Sequence, residues 1–350
     1  MIGIHEAPGS FSDRWLELCR EKAIPFTRLN CLATDIVARC AGLRAVLWNW
    51  TLNSPAEQLV ARQVITALEQ QGILVFPNLA SCWHYDDKVG QKYLLEALGA
   101  PIIPTWLFTD RREAEEWIAQ ATWPKVFKLR SGSASENVRL VESRKQAERI
   151  CRRAFTSGFP AKPGYLSDMR TRLHNTRNLR EAWEKLRRVP ESVLEVTNFR
   201  RHSPRQRGYV YFQEFLPGNG FDTRIIVIGH RAFGFLRLNR PNDFRASGSG
   251  RTVYDPDRID RRCLETAFHL ARRLESQSLG FDFIFDQDRQ PRICEMSYAF
   301  IPSIVHGCPG YWDRELAWHP GQVWPEDAIL EHVLAALAPQ KEACLTGLAH

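Results

Sequence analysis

Residues 279–297 limit the fold more sharply than any other stretch: Leu-Gly-Phe-Asp-Phe-Ile-Phe-Asp-Gln-Asp-Arg-Gln-Pro-Arg-Ile-Cys-Glu-Met-Ser. Apolar residues alternate on both sides of a polar turn at Gln287-Asp288-Arg289-Gln290, the pattern of two strands in a hairpin. Side chains alternate faces along a strand. Asp282 and Ile284 are therefore expected on one face of the first strand, and Ile293, Glu295 and Ser297 on one face of the second. If 281–286 pairs with 291–296, Asp282 stands opposite Glu295. Like charges directly opposite destabilise a strand pair, an objection that a bound divalent cation removes. Two carboxylates converging at the end of a sheet suit magnesium, which keeps some of its waters and also takes substrate phosphates. The plainer alternative is a solvent-facing hairpin whose acids are simply hydrated.

The chain around this hairpin is long, 350 residues, which suits two or three subdomains rather than one small core. It contains no apolar run near the ~18 residues that cross a bilayer. The start, Met-Ile-Gly-Ile-His-Glu, lacks the basic-then-apolar order of a signal peptide. Nine cysteines are scattered without a Cys-x-x-Cys pair, which argues against a zinc site or a disulfide framework and favours a reducing, cytoplasmic setting. The net charge of +7 is local: residues 160–208 hold twelve Lys/Arg against five Asp/Glu.

From the N-terminus, strand-like and helix-like patterns alternate to about residue 80. Ile2–His5 reads as a strand, 11–22 as a helix through Phe11, Trp15, Leu18 and Cys19, and 44–50 as a strand. Asn53-Ser54-Pro55 opens a helix that Gly72 ends, and 73–76 is the next strand. This is a small α/β layer with an expected parallel sheet, and it lacks the Gly-x-Gly-x-x-Gly of a dinucleotide site. Asp86-Asp87-Lys88 caps a further helix to Leu98. Residues 105–108 and 110–120 read as strand and helix. Then 123–141 reads strand, small-residue loop, strand: Lys128 on a strand beside Ser131-Gly132-Ser133 can hold phosphates, with backbone N–H groups and an ammonium. An exposed hairpin with a chance lysine has the same pattern.

Residues 160–208 look like an insertion, with helical spacing over 178–188 through Leu179, Trp183 and Leu186. It reads as a solvated basic helix, or as a surface for RNA or another polyanion, although aromatics are too few for a stacking platform. Residues 208–240 break into strand, Pro-Gly-Asn-Gly loop, strand, Gly229-His230 turn and strand. A polar loop follows over 243–250 with Arg245 at its centre, then a helix expected over 257–277. The segment 300–324, rich in Trp, His and Pro, either lines an acceptor pocket or closes the domain as a packed loop. Pro325–Leu337 is an amphipathic helix.

The order of these pieces resembles the ATP-grasp superfamily, especially its carboxylate–amine ligases of the glutamate-ligase and glutathione-synthetase type. The pieces are the strand lysine and small-residue loop, Gln-Glu-Phe-Leu, Asp-x-Arg, Asp-Phe-Arg, Gly-x-Asp and Glu-x-Ser, spread over 86–297. The resemblance implies an α/β fold with α+β subdomains: an ATP-grasp body behind an N-terminal pre-ATP-grasp parallel-sheet domain. It implies divisions at 1–80, at 81–122 (a linker and the helical part of the central domain), at 123–212 (the lid subdomain with its basic insertion) and at 213–350. It also implies roles. Lys128 matches the strand lysine on the α- and β-phosphates, and Lys88 resembles the earlier cation on the far side of the nucleotide. Ser131, Gly132 and Ser133 belong to the covering loop. Glu214, Phe215 and Leu216 fall on the hinge at the adenine edge, and Asp222 where an acid meets the ribose. Arg245 matches the arginine beside the transferring phosphate. Asp282 and Glu295 match the magnesium-bridging acids, with Ser297 where the family usually has asparagine.

The activity implied by the resemblance is that of an ATP- and Mg2+-dependent, ADP-forming ligase. It would activate a carboxylate as an acylphosphate and pass it to an amine, with Lys128 and Arg245 stabilising the transferring phosphoryl group. The segments Cys-Pro-Gly-Tyr-Trp-Asp and Gly-Gln-Val-Trp-Pro-Glu-Asp resemble an ATP-grasp branch associated with surface-polysaccharide pathways, which would suit joining an amino acid to a sugar or carrier. The same scaffold also supports two alternatives: a kinase of small polyols, and a nucleotide-binding regulatory protein without turnover. The expected partners are ATP and small carboxylate and amine substrates, with neither membrane nor nucleic acid among them, and a homodimer is compatible with the sequence.

Overall fold

The computed structural model describes residues 1–52, 54–132, 137–160 and 205–338. Three sheets organise them. The first is wholly parallel, Phe26–Leu29, Ile2–His5, Ala45–Leu47 and Leu74–Phe76 in spatial order. Three of its strands fall where alternating apolar residues place them. Phe26–Leu29 does not stand out in the sequence, because Arg28 and Thr27 interrupt an edge strand that is only partly buried. The helix Pro55–Gln70 begins as expected, with Ser54 accepting the N–H of Glu57 and Pro55 in the first turn.

The second sheet is a four-stranded antiparallel layer, Thr105–Phe108, Val210–Glu214, Lys125–Lys128 and Val138–Val141 in order. The helices Arg111–Gln120 and Arg144–Phe155 supply Ala114, Ile118, Ala147 and Cys151 to the core beneath it. The second of these helices is not apparent from the sequence pattern, because only small residues mark its buried face.

The third and largest sheet places Pro291–Ser297, Ser278–Phe285, Phe221–Ile228 and Arg231–Leu238 side by side, and continues through Gly310–Trp312 and Trp318–Pro320. The last two strands come from the Trp-rich segment. Part of that segment is thus sheet edge rather than loop, with Trp312 and Trp318 packed into the core. The helix expected over 257–277 is shorter, Arg261–Arg273. Asp260 caps it, and Pro256–Arg258 forms a separate 3-10 turn.

Period-two alternation decides what each face of the large sheet does. Ile225, Val227, Phe281, Phe283 and Phe285 bury against Leu264, Ala267 and Leu270 of Arg261–Arg273. On the opposite face, Ile226, Ile228, Phe233 and Phe235 join Phe11, Trp15 and Leu16 of the N-terminal layer, along with Ile329 and Val333 of Pro325–Leu337. That same face carries Asp222, Arg224, Arg237 and Asp282 beyond the apolar patch, so the pleat itself gathers the charges. The segment 178–188, Ser133 and most of the basic insertion lie outside the described residues.

Candidate active site

The hairpin forms and Asp282 pairs with Glu295 as expected, but beyond that pair the register is shifted by one residue. One part of the expectation is corrected. A bulge between Asp282 and Phe283 skips Cys294, so Ile293 and Glu295 do not share a face. Ile293 and Met296 bury in the core while Glu295 turns outward beside Asp282. The extra residue is what turns Ile293 into the core and leaves this surface to the acids.

Four charged side chains meet there. Arg237 holds Asp222 in a two-pronged pair, Nε to Oδ1 at 2.8 Å and Nη2 to Oδ2 at 2.6 Å. The same Nη2 lies 2.7 Å from Asp282 Oδ2. Arg224 Nη1 lies 3.4 Å from Asp282 Oδ1. Gly280 leaves room for this: a Cβ there would stand 3.3 Å from Arg224 Nη2. Burial pushes the Asp282 carboxyl up, but Arg224 and Arg237 outweigh it and hold the group below its usual value. Asp282 Oδ1 is buried and accepts no hydrogen bond.

Lys88 ties this centre to the small-residue loop. Its Nζ is 3.1 Å from Glu295 Oε1 and 3.8 Å from Asp86 Oδ1, and it donates to the Gly132 carbonyl at 3.0 Å. The Gly132 N–H donates to Asp86 Oδ1 at 2.7 Å. Gly132 has φ +128, and a Cβ would meet Asn137 Nδ2 at 2.2 Å, so this turn requires glycine. Burial alone would lower the Lys88 pKa; Glu295 and Asp86 more than reverse that and keep it charged. Lys128 is also buried and donates to the Cys294 carbonyl at 3.3 Å. Burial draws its pKa down, against the pull of Glu295 and Asp282.

Two cavities adjoin at these acids. One, of about 170 Å³, runs between the second and third sheets. Lys128, Glu214, Phe215, Leu216, Asp222 and Arg245 line it, over apolar walls that include Val126 and Phe244. The other, of about 380 Å³, opens towards the N-terminal layer. Asp282, Glu295, Arg237, Ala246 and Ser247 line both. Arg245 is clamped by Asp243, with Nη2 to Oδ2 at 2.6 Å, and reaches the Val138 carbonyl across the first cavity at 3.4 Å. Glu214 pairs through Oε1 with Lys125 Nζ at 2.9 Å.

Of the residues singled out in the sequence, Lys128, Glu214, Phe215, Leu216, Asp222, Arg245, Asp282 and Glu295 line the first cavity. Lys88 and Gly132 join them through Glu295. Ser131 stands back: its hydroxyl accepts from Gln206 Nε2 at 2.6 Å. Ser297 lines the second cavity, but its hydroxyl donates to the Ala299 carbonyl at 3.0 Å. Arg237 and Asp86 do not stand out in the sequence as site residues, and Arg224 enters only as part of a motif. Charges in phase with Asp282 on neighbouring apolar strands are the signal that would have found both arginines.

The donor set fits a magnesium ion. Asp282 and Glu295 offer hard carboxylate oxygens side by side, and Asp282 Oδ1 has no hydrogen bond to lose. No group of three His, Cys, Asp or Glu side chains is set to hold a metal among the described residues, so phosphate and water would complete the shell.

No protein-family model matches the chain. The structure of the ATP-grasp ligase PsnB complexed with minimal precursor, Mg and ADP superposes with a TM-score of 0.54 at 14% identity, covering 95% of this chain and 98% of that one. D-alanine–D-alanine ligase from Bacillus anthracis, complexed with ATP, gives 0.54 at 13% identity over 96% and 97%. At such identities the likeness is one of fold, and the chain has the ATP-grasp fold. Among curated sequences, an uncharacterized MG012 homolog from Mycoplasma pneumoniae is 27% identical over 85 residues, 24% of this chain and 30% of that protein. The match thus spans less than a third of that relative. No helix among the described residues is long and apolar enough to cross a membrane.

Proposed function

We propose that this chain is an ATP- and magnesium-dependent ligase that activates a carboxylate as an acylphosphate and joins it to an amine, releasing ADP and phosphate. One observation carries the reading: two cavities of different character share a wall made of Asp282, Glu295 and Arg237. A phosphoryl donor in one and a carboxylate in the other would meet across that wall. The first cavity has the features a nucleotide needs, with a strand-end segment at Glu214–Leu216, apolar walls for a base, and Lys128 and Arg245 for phosphates.

Magnesium held by Asp282 and Glu295 would neutralise charge on the phosphates. The remaining work falls to the chain. Lys128, buried and donating to a backbone carbonyl at a long 3.3 Å, supplies a desolvated positive charge to the phosphate oxygens. Arg237 fixes Asp282 in orientation through the pair it also makes with Asp222. Lys88 links Glu295 to the Gly132 carbonyl and so joins one of the acids to the end of the strand-and-turn segment that carries Lys128.

Magnesium-dependent ADP release, measured against a panel of carboxylates and amines with Glu295→Gln as control, tests the reading. Release that needs both substrate classes and is lost in the control is expected. Release with a polyol and no amine would make the protein a kinase.

A further inference from the structure

Resting on the ligase reading, we infer that Tyr209 and Gln206 are positioning residues for nucleotide binding: they hold the turn at 130–132, and through it the two lysines, Lys88 and Lys128, that meet the phosphates. Lys128 closes its strand opposite Tyr211, and the ladder with that neighbouring strand ends there. Side chains then take over the backbone groups of the next residues. The Arg130 N–H donates to the Tyr209 hydroxyl at 2.6 Å, and that hydroxyl donates in turn to Gln206 Oε1. Gln206 spreads its amide along Ser131. Its Nε2 donates to the Ser131 hydroxyl at 2.6 Å and to the Ser131 carbonyl at 3.3 Å, and its Oε1 accepts the Ser131 N–H at 3.3 Å. Asp86 Oδ1 takes the Gly132 N–H at 2.7 Å.

The N–H groups of three successive residues are thus engaged by side chains. An amide engaged in this way serves the turn, so at 131 and 132 the phosphate-holding role passes from backbone N–H groups to the lysines. The carbonyls of the turn explain how. Arg130 accepts the Lys88 N–H at 2.9 Å, and Gly132 accepts Lys88 Nζ at 3.0 Å. Lys88 is therefore tied to the turn at both its backbone and its ammonium. Lys128 lies two residues before the turn on the same stretch of chain. A shift of the turn moves both cations relative to the phosphates, and small misplacements of such groups are costly.

The anchors are themselves firmly held. Gln206 and Phe159 exchange two backbone hydrogen bonds of 2.9 Å. Beside them Gly158 has φ +63, and a Cβ there would meet the Gln206 carbonyl at 2.7 Å, so this approach requires glycine. Burial pushes the Tyr209 phenol up to about 12, so it keeps the proton that it gives to Gln206. Neither Tyr209 nor Gln206 lines either cavity at the acids. Their influence on a nucleotide has to pass through the turn. Gln206 belongs to the basic segment 160–208, whose C-terminal end is in this way built into the support of the site.

The test uses the full chain with magnesium and two ligands. A non-hydrolysable ATP analogue, measured by calorimetry, needs the lysines. Adenosine, followed by saturation-transfer NMR at millimolar concentration, needs only the base end of the first cavity. Tyr209→Phe and Gln206→Leu are each expected to weaken the analogue about three- to tenfold, the worth of one or two hydrogen bonds, and to leave adenosine binding unchanged. The double variant should lose little more than the larger single effect, because the two residues act as one chain. Unchanged analogue affinity in both variants overturns the inference. So does equal weakening of both ligands, which marks a merely structural role, and so do strictly additive losses. If Gln206→Leu does not fold, Tyr209→Phe, which removes a single oxygen, decides alone. In each of these cases binding of the analogue by the wild type leaves the ligase reading standing, whereas its failure to bind removes that reading and this inference together.

Discussion

Replacing Lys88 with methionine keeps the length of the side chain and removes its charge from the centre of the site. The ammonium is buried, 3.1 Å from Glu295 and 3.8 Å from Asp86, and donates to Gly132. Its loss leaves two carboxylates facing each other without a counter-charge. Breaking a fully buried pair in this way costs about 3–5 kcal/mol. Glu295 is 32% exposed and recovers some hydration, so Lys88→Met is expected to cost about 2–4 kcal/mol. The Asp86 carboxyl is already pushed up to about 6, by burial first and against the pull of Lys88. Without Lys88 it will hold its proton to still higher pH, so the deficit should shrink at pH 5. Urea unfolding of wild type, Lys88→Met, Glu295→Gln and the double variant gives the coupling directly, expected at about 1–3 kcal/mol. A cost below about 0.5 kcal/mol, or strictly additive single effects, would refute the idea that Lys88 is what allows these acids to be buried together.

Two further expectations concern stability away from the site. Glu326, in the first turn of Pro325–Leu337, has a buried and unpartnered Oε2, and its carboxyl is pushed up to about 7 by burial and by Asp327, against Arg14. The folded state therefore binds this proton more tightly than the unfolded one, and the residue costs stability as pH rises from about 4.5 to about 7. Glu326→Gln should be more stable than wild type at pH 8 by up to about 3 kcal/mol and indistinguishable near pH 4, as read by denaturant titration. Leu264→Ala, on the buried face of Arg261–Arg273, should cost about 2–4 kcal/mol at every pH without altering nucleotide binding.

The parts of this fold that were legible in the sequence are those where one physical signal dominates. The hairpin followed from alternation around a polar turn, and the parallel layer from strands separated by a well-capped helix. Asp282 opposite Glu295 needed only the strand pairing. The signal failed where two effects compete. The bulge at Cys294 costs a ladder position and cannot be seen from period-two counting, yet it decides which face Ile293 takes. Phe26–Leu29 is an edge strand with polar residues on its open side. Arg237 does not stand out in the sequence, because it meets Asp222 and Asp282 only once the three strands are side by side. Asp86 reads in the sequence as part of a helix cap. Asp87 does the capping, while Asp86 takes a left-handed conformation with φ +54 and turns to Gly132.

The central claim is that the cavity between the second and third sheets holds a magnesium nucleotide. The most direct test is calorimetric titration of a non-hydrolysable ATP analogue into the full chain, with and without magnesium, for wild type, Lys128→Met and Asp282→Asn. Binding that requires magnesium in the wild type is predicted, weakened about tenfold or more by Lys128→Met and made insensitive to magnesium by Asp282→Asn. Absence of binding in the wild type, or the same affinity in all three proteins, would contradict it.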